Sequence, residues 1–331
     1  MFKLIQALRG VAAFWIVLFH ASAGGHIETL KAHLPGWVVK PLFQTSEGGV
    51  AIFFALSGFV IAHSIRDKQI TSGFVGRFAL RRSLRLDPPY WAAIALAVLA
   101  GAFSAHTHQW PSGGQVLAHL TYTQTLLGFD QINPVFWTLT YEVQFYLVLV
   151  VSVGLAQRYG KAWVGVPLAL IAVLWGTHWL PEMRGLFVNL WHSFFIGSLA
   201  YWGVKDRRAA LACVALAVLL MAAGPNEFTS VAVVTALGLM VAGQRGWLEN
   251  GLSWRPLQVL GQISYSLYLT HNPVTGAAFF LCVKAKLPEW ASFPLVLAID
   301  IAFAVAFWWA LERPSMALAK RVRANATMGV V

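Results

Sequence analysis

Ten apolar segments run through the 331-residue chain, at residues 4–23, 47–64, 88–104, 134–156, 162–180, 186–204, 209–224, 228–243, 257–283 and 291–311. A helix of about 20 apolar residues spans the hydrocarbon of a bilayer, and most of these segments reach or approach that length. Segments 209–224 and 228–243 are short and would cross nearly upright or in thinner bilayer. Hydrophobic residues make up 58% of the chain and charged ones 11%, where soluble domains carry about a quarter charge. Mean hydropathy is +0.64. The expectation is an all-α fold: a polytopic transmembrane helical bundle of about ten membrane-spanning helices.

Charge sets the orientation. With the amino terminus in the cytoplasm, nineteen of the 24 Lys and Arg fall on the inner side, and only Lys31, Lys40, Arg184, Lys284 and Lys286 fall outside. Positive loops stay inside, so an even span count puts both termini in the cytoplasm. The same bias accounts for the net charge of +11 without nucleic acid, because no basic, aromatic-interleaved soluble domain is present to bind one. Lys3 and Arg9 before an apolar run ending in Ala21-Ser22-Ala23 imitate a secretory signal, but the many spans that follow favour an uncleaved first helix. Cys213 and Cys282 read as packing residues, giving neither a disulfide nor a metal site.

Residues 1–316 are expected to form one transmembrane domain, followed by a basic tail at 317–331 that is disordered or lies on anionic lipid. The longest stretches between spans are 24–46, 65–87 and 105–133. The last contains QVLAHLTYTQTLLGF, polar and apolar by turns, which fits a lid or re-entrant element over the outer face or a plain surface helix. No internal repeat is evident, which argues against transporters built from inverted halves.

Ionisable groups inside hydrocarbon are costly and mark function. Arg9 and His20 stand eleven residues apart in LIQALRGVAAFWIVLFHASA, so on a helix they share one stripe, roughly 16 Å apart along the axis. His20, Glu142 and His271 sort towards the outer side; Arg9, the Arg77–Arg85 cluster and Glu312 sort towards the inner side. The chain thus places general acid–base groups outside and anion-binding groups inside. In FWTLTYEVQFYL, Glu142 and Tyr146 share a face at i, i+4. Glu142 must be paired, protonated or wetted; a hydrogen bond to His20 would fix the imidazole tautomer, and an interhelical structural bond is the plainer reading.

In ISYSLYLTHNPV, Ser264, Tyr268 and His271 form a polar stripe ending at Pro273, able to line a substrate channel or to glue helices. Ser57-Gly58 permits close backbone approach but is no nucleophile elbow. In RFALRRSLRLDPPYW, Arg77, Arg81 and Arg85 share a helical face, with Arg82 three residues before Arg85, ahead of a span expected to begin at Pro88-Pro89. Arginine forks match phosphate oxygens, and juxtamembrane arginines also anchor proteins to membrane lipid. His106 and His108 offer two ligands without a third, and Asp300 could pair with Arg9 or be a protonated structural acid.

Together these strings resemble the acyltransferase-3 family of integral membrane O-acyltransferases. The resemblance rests on LRGVAAFWIVLFH, FFALSGFVI, RRSLRLDPPYW with Tyr90, FWTLTYEVQFYL with Trp137 and Phe145, ISYSLYLTH and the closing Glu312-Arg313-Pro314, in family order from about residue 4 to 315. It implies transfer of an acyl group, often acetyl, from cytosolic acyl-CoA as co-substrate to a hydroxyl of a cell-envelope carbohydrate or lipid-linked sugar acceptor. That places the protein in the bacterial inner membrane, with no metal or tightly bound cofactor. The arginine and histidine that the family links to catalysis map onto Arg9 and His20. Tyr141-Glu142-Val143 stands where many members have paired acids. Some members carry an added hydrolase-like domain, so a partner protein is expected for any later transfer step.

The resulting expectation is that acyl-CoA phosphates dock at Arg81, Arg82 and Arg85, with Ser57 at the donor site, while the acyl arm passes Arg9. His20, oriented by Glu142, acts as general base, and Tyr268, Ser264 or a water donates to the oxyanion. Tyr146, Ser264, Tyr268 and His271 line the substrate channel, and an acyl-histidine relay is conceivable. Two other classes fit the same residues: a proton-coupled permease using the His, Glu and Arg groups as a relay, and an assembly subunit whose polar stripes only contact partner helices.

Overall fold

A computed structural model describes residues 2–45, 47–102 and 110–325, and every regular element among them is helical. In chain order these are α1 (Lys3–Ala23), α2 (Glu28–Ala32), α3 (Gly36–Phe43), α4 (Glu47–Ile65), α5 (Ser72–Ala102), α6 (Gly113–Leu120), α7 (Gln124–Leu127), α8 (Trp137–Tyr159), α9 (Lys161–Gly176), α10 (Trp191–Gly203), α11 (Arg207–Ala222), α12 (Glu227–Gln244), α13 (Arg255–Gln262), α14 (Ser264–Lys284), α15 (Glu289–Phe307) and α16 (Arg313–Asn325). A 3-10 turn, Phe187–Leu190, leads into α10, and a π-turn, Trp308–Glu312, joins α15 to α16. By length and composition α1, α4, α8, α12 and the run Glu289–Val322 can each cross a membrane, and the protein is an integral membrane protein. His106 and His108 lie outside the described residues.

Three helix starts carry a capping side chain. Asn226 accepts the Thr229 N–H at the start of α12, Asp206 accepts that of Arg208 at α11, and Ser112 accepts that of Gln115 at α6. Each such side chain satisfies one of the four N–H groups that a helix start leaves open.

Two compact units interleave along the chain. The first comprises Met1–Ala12, Glu47–Val75 and Thr138–Gly261. At its centre α10 packs on α4, with α9, α11 and α12 around α10. Lipid is as apolar as any side chain, so helices associate through close packing and hydrogen bonds. The two central helices meet backbone to backbone: a Cβ on Gly58 would collide with the Phe194 carbonyl, and one on Gly197 with the Ala55 carbonyl. Ser198 Oγ donates to Gly58 O at 3.1 Å. Phe194 stacks on both Phe54 and Phe145, with centroids 4.1 Å apart in each case. The Phe54–Phe194 and Phe59–Tyr201 contacts advance together along both helices, so α4 and α10 run parallel. The start of α1 is fastened by Leu4 N–H to Leu248 O at 3.1 Å and Gln258 Nε2 to Lys3 O at 3.0 Å.

The second unit comprises Ala13–Ser46, Gly76–Trp137 and Gln262–Val331. It is built on the α14–α15 hairpin, tied by Thr275 Oγ1 donating to Asp300 Oδ2 at 2.7 Å. The C-terminal end of α1 runs parallel to α14, as successive contacts between His20 and His271 and between His26 and Phe279 require. Ala21, Ile27, Phe43, Ala278, Phe279, Cys282 and Val296 close an apolar core beyond these histidines. Residues 24–45, carrying α2 and α3, pack onto this core.

Two local expectations change. The span expected to begin at Pro88-Pro89 is instead the second half of one 31-residue helix, α5, that runs through both prolines. Neighbouring helices help membrane helices tolerate the lost N–H groups, and here Tyr265 Oη donates to Leu86 O at 3.0 Å beside them. The segment 257–283 breaks at Ile263 between α13 and α14, where Gly261 lies so close to α1 that a Cβ would strike the Gln6 carbonyl. Residues 317–325 continue α16, because Ser315 and Ala319 are buried along one stripe while Lys320 and Arg321 stay exposed.

The described part of the segment after α5, residues 110–136, packs back along that helix. Tyr122 Oη donates to Asp87 Oδ1 at 2.8 Å, and Trp91 Nε1 donates to Leu120 O at 3.3 Å. Asp87 is fifteen residues from the end of α5, roughly 22 Å of helix, so Leu120–Tyr122 returns far down that helix. Within this segment His119 is fully buried. Its Nδ1 is 2.8 Å from Gln115 O, and its Nε2 accepts the Ile132 N–H at 3.1 Å. Burial pushes the His119 imidazole below its ordinary value.

Candidate active site

The second unit brings two histidines together that stand 251 residues apart in sequence. His271 Nε2 lies 3.2 Å from His20 Nδ1. His271 is fully buried, and its Nδ1 sits 3.0 Å from Leu267 O and 2.9 Å from Tyr268 O. Carbonyl oxygens only accept, so that Nδ1 carries the hydrogen and Nε2 presents a bare lone pair. His20 Nδ1 is 2.9 Å from Ile16 O and by the same reasoning carries a hydrogen, shared between Ile16 O and His271 Nε2. The remaining nitrogen, His20 Nε2, then carries the lone pair. Of the two rings, only that of His20 is partly open.

Around this pair the polar stripe of α14 is committed residue by residue. Tyr268 Oη donates its one proton to Val135 O at 2.6 Å. Ser264 is fully buried. Asn272, next to His271, donates through Nδ2 to Asn133 Oδ1 at 3.3 Å. Asn133 is itself buried, and its own Nδ2 has no hydrogen-bond partner among the described residues. One turn below the histidines, the Glu312 carboxylate accepts from Ser266 Oγ at 2.6 Å and from Ser266 N–H at 3.2 Å. It caps the first turn of α14 from another helix.

The arginine cluster lies on α5 of the same unit. Arg81, Arg82 and Arg85 are half-buried. Arg82 lies over the Phe78 ring at 5.7 Å, and Arg85 makes no ion pair or hydrogen bond among the described residues. A half-sheltered cation without a counterion is a ready anion site. Asp87 next to it is occupied by Ser83 and Tyr122.

In the first unit Ser57 Oγ donates to Glu142 Oε1 at 3.1 Å, and Tyr146 Oη donates to the same oxygen. The structure therefore collects Ser57, Glu142 and Tyr146 in one polar cluster. Arg9, in the same unit, is half-buried on α1. Among the described residues no three His, Cys, Asp or Glu side chains converge as a metal site requires.

Asn133, Asn272 and the capping role of Glu312 escape sequence reasoning. The only written signals are an asparagine just ahead of an apolar span, in QINPVFW, and one directly after His271.

A 335-residue match at 26% identity joins the chain to nodulation protein 10 of Rhizobium leguminosarum bv. viciae, covering 85% of each. The chain is 25% identical to a protein of Komagataeibacter xylinus provisionally named membrane-bound transacylase BcsY, over 84% of this chain and 74% of that one. It is 24% identical to a protein of Acidianus two-tailed virus provisionally named acetyltransferase ORF330, over 81% of each. No solved structure matches. The profile of the acyltransferase-3 family, an acyltransferase domain, matches residues 2–312. Nearly the whole chain is covered, and the protein belongs to the acyltransferase-3 family of membrane acyltransferases.

Proposed function

We propose that this enzyme moves an acetyl or similar acyl group from cytosolic acyl-CoA to a hydroxyl of an envelope carbohydrate or lipid-linked sugar, with His20 as general base. The observation that carries the proposal is the His20 ring, whose Nδ1 is held beside a buried second imidazole so that Nε2 carries the lone pair. Family membership accounts for the acyl donor. The transacylase and acetyltransferase names of the relatives favour acyl transfer over the permease and assembly-subunit readings.

In the proposed step the acceptor O–H gives its proton to His20 Nε2 as its oxygen attacks the thioester carbonyl. The C–S bond breaks, and the proton passes from Nε2 to the departing CoA sulfur. The products are an ester and CoA thiol. Because Tyr268 Oη is engaged by Val135 O, the developing oxyanion falls to another donor; Ser264, a water or the unpartnered amide of Asn133 could supply it. Arg82 and Arg85, with Arg81, bind the CoA phosphates. Arg9, one helical stripe and roughly 16 Å from His20 on α1, belongs to the donor side. Ser57, Glu142 and Tyr146 are proposed as polar lining for donor and acceptor passage.

Ten spans with both termini in the bacterial cytoplasm are the topology proposed with this reaction. Alternation makes the first and ninth spans parallel, and likewise the second and sixth, in keeping with the parallel packing of α1 with α14 and of α4 with α10.

Purified protein given acetyl-CoA labelled in its acetyl group tests the reading. Loss of the thioester with label appearing on a hydroxyl acceptor supports it. Passage of a ligand across vesicles without thioester loss contradicts it.

A further inference from the structure

We infer that His271 is a positioning residue that holds His20 in the tautomer and orientation needed for proton abstraction. The inference deepens the proposed function and rests on its assignment of His20 as the base. The geometry supplies a directional chain. Leu267 O and Tyr268 O, on α14 itself, take the hydrogen of His271 Nδ1 at 3.0 and 2.9 Å. That leaves His271 Nε2 able only to accept, and the atom it faces at 3.2 Å is His20 Nδ1.

An imidazole is ambiguous by nature, since either nitrogen can carry the proton. With Nδ1–H held between Ile16 O and His271 Nε2, His20 cannot turn its N–H towards the acceptor hydroxyl. His20 Nε2 stays a lone pair in the resting enzyme. When Nε2 takes up the acceptor proton, the imidazolium still points its Nδ1–H at a lone pair, so the transient charge is met without moving any group. In other bases of this kind the partner is a carboxylate; here it is a neutral, fully buried imidazole. That choice avoids placing a fixed negative charge at membrane depth.

Two further observations make His271 well suited to this work. Its ring is clamped at Nδ1 by two carbonyls of the preceding turn, so its direction does not depend on a loop. Its helix is fastened nearby, where Tyr268 Oη reaches Val135 O and Asn272 reaches Asn133. Such outer partners of a catalytic or metal-bound histidine typically affect activity by about 10–100-fold.

The test compares two amides. His271→Gln puts an acceptor oxygen near the position of Nε2, whereas His271→Asn reaches only as far as Nδ1 and leaves His20 without this partner. In bilayers, ¹⁵N-histidine spectra of the wild-type protein, with His20 assigned by difference against His20→Ala, are expected to show a protonated Nδ1 and a bare Nε2. His271→Asn is expected to admit the other His20 tautomer and to lower kcat by about 10–100-fold at unchanged KM for acetyl-CoA. His271→Gln is expected to keep the wild-type tautomer and most of kcat.

A wild-type His20 protonated at Nε2 overturns the inference. So does a His271→Asn enzyme with normal kcat and tautomer, or equal losses in the Gln and Asn variants, which would mark a packing role. Full activity in His20→Ala is a different failure: it removes the base assignment itself, whatever the tautomer.

Discussion

The Glu312 carboxylate grips Ser266 twice, at the hydroxyl and at the backbone N–H, and so fastens the π-turn to the first turn of the helix that carries His271. Both partners are buried, and removing the carboxylate leaves two donors unsatisfied. Charge-assisted bonds of this kind are worth about 1.5–3 kcal/mol. Glu312→Ala is expected to lower stability by about that amount in thermal unfolding of detergent-solubilised protein. Glu312→Gln, which keeps an acceptor, should fall between the two.

The crossing of α4 with α10 depends on having no Cβ at Gly58. Gly58→Ala forces the helices apart, and overpacking of this sort costs about 1–3 kcal/mol. Gly238 in α12 has open space around it, so Gly238→Ala is expected to be neutral or to stabilise by up to about 1 kcal/mol. Paired melting curves of the two variants check this, and equal shifts would contradict the packing described.

Arg85 is half-buried and carries no counterion among the described residues. If it binds CoA phosphate, Arg85→Ala should raise KM for acetyl-CoA about tenfold or more, as the loss of one charge-assisted bond implies, with kcat little changed. Binding by the wild-type protein should weaken with salt. A variant with unchanged KM returns this arginine to lipid anchoring.

His119 carries a pH prediction whose direction follows from its burial. Its imidazole is pushed below the ordinary 6.5, and the neutral ring accepts the Ile132 N–H. The folded protein thus favours the uncharged form more than the unfolded chain does. The stabilisation is complete above about pH 6.5 and declines as pH falls below that value. Hydrogen exchange at Ile132, corrected for intrinsic rate, should accelerate at pH 5.5 relative to pH 7.5. His119→Gln should lose that dependence.

Much of the architecture is legible in the chain because lipid solvation writes it there. The apolar lengths of α1, α4, α8 and α12 mark membrane-crossing helices directly, and the family motifs identify the chemistry. What the sequence does not reveal is pairing. Nothing local says that His20 faces His271, or that Ser57 joins the Glu142–Tyr146 pair, since helical periodicity names a face and not its neighbour on another helix. Pro88-Pro89 misleads because tertiary contacts such as Tyr265 to Leu86 can carry a helix through residues that would end it in isolation. The break at Ile263 is equally hidden, being imposed by the close approach of Gly261 to α1. The packing of 110–136 against α5 through the Tyr122–Asp87 bond is likewise unwritten in its mixed polar and apolar composition.

The central claim is that His20 Nε2 removes the acceptor proton. The most direct measurement is the rate of CoA thiol release from acetyl-CoA, with hydroxyl acceptor present, by equal amounts of folded wild-type and His20→Ala protein. General-base catalysis contributes about 10²–10⁴-fold, so the variant is expected to release CoA at least about a hundredfold more slowly. Equal rates in the two proteins would contradict the account.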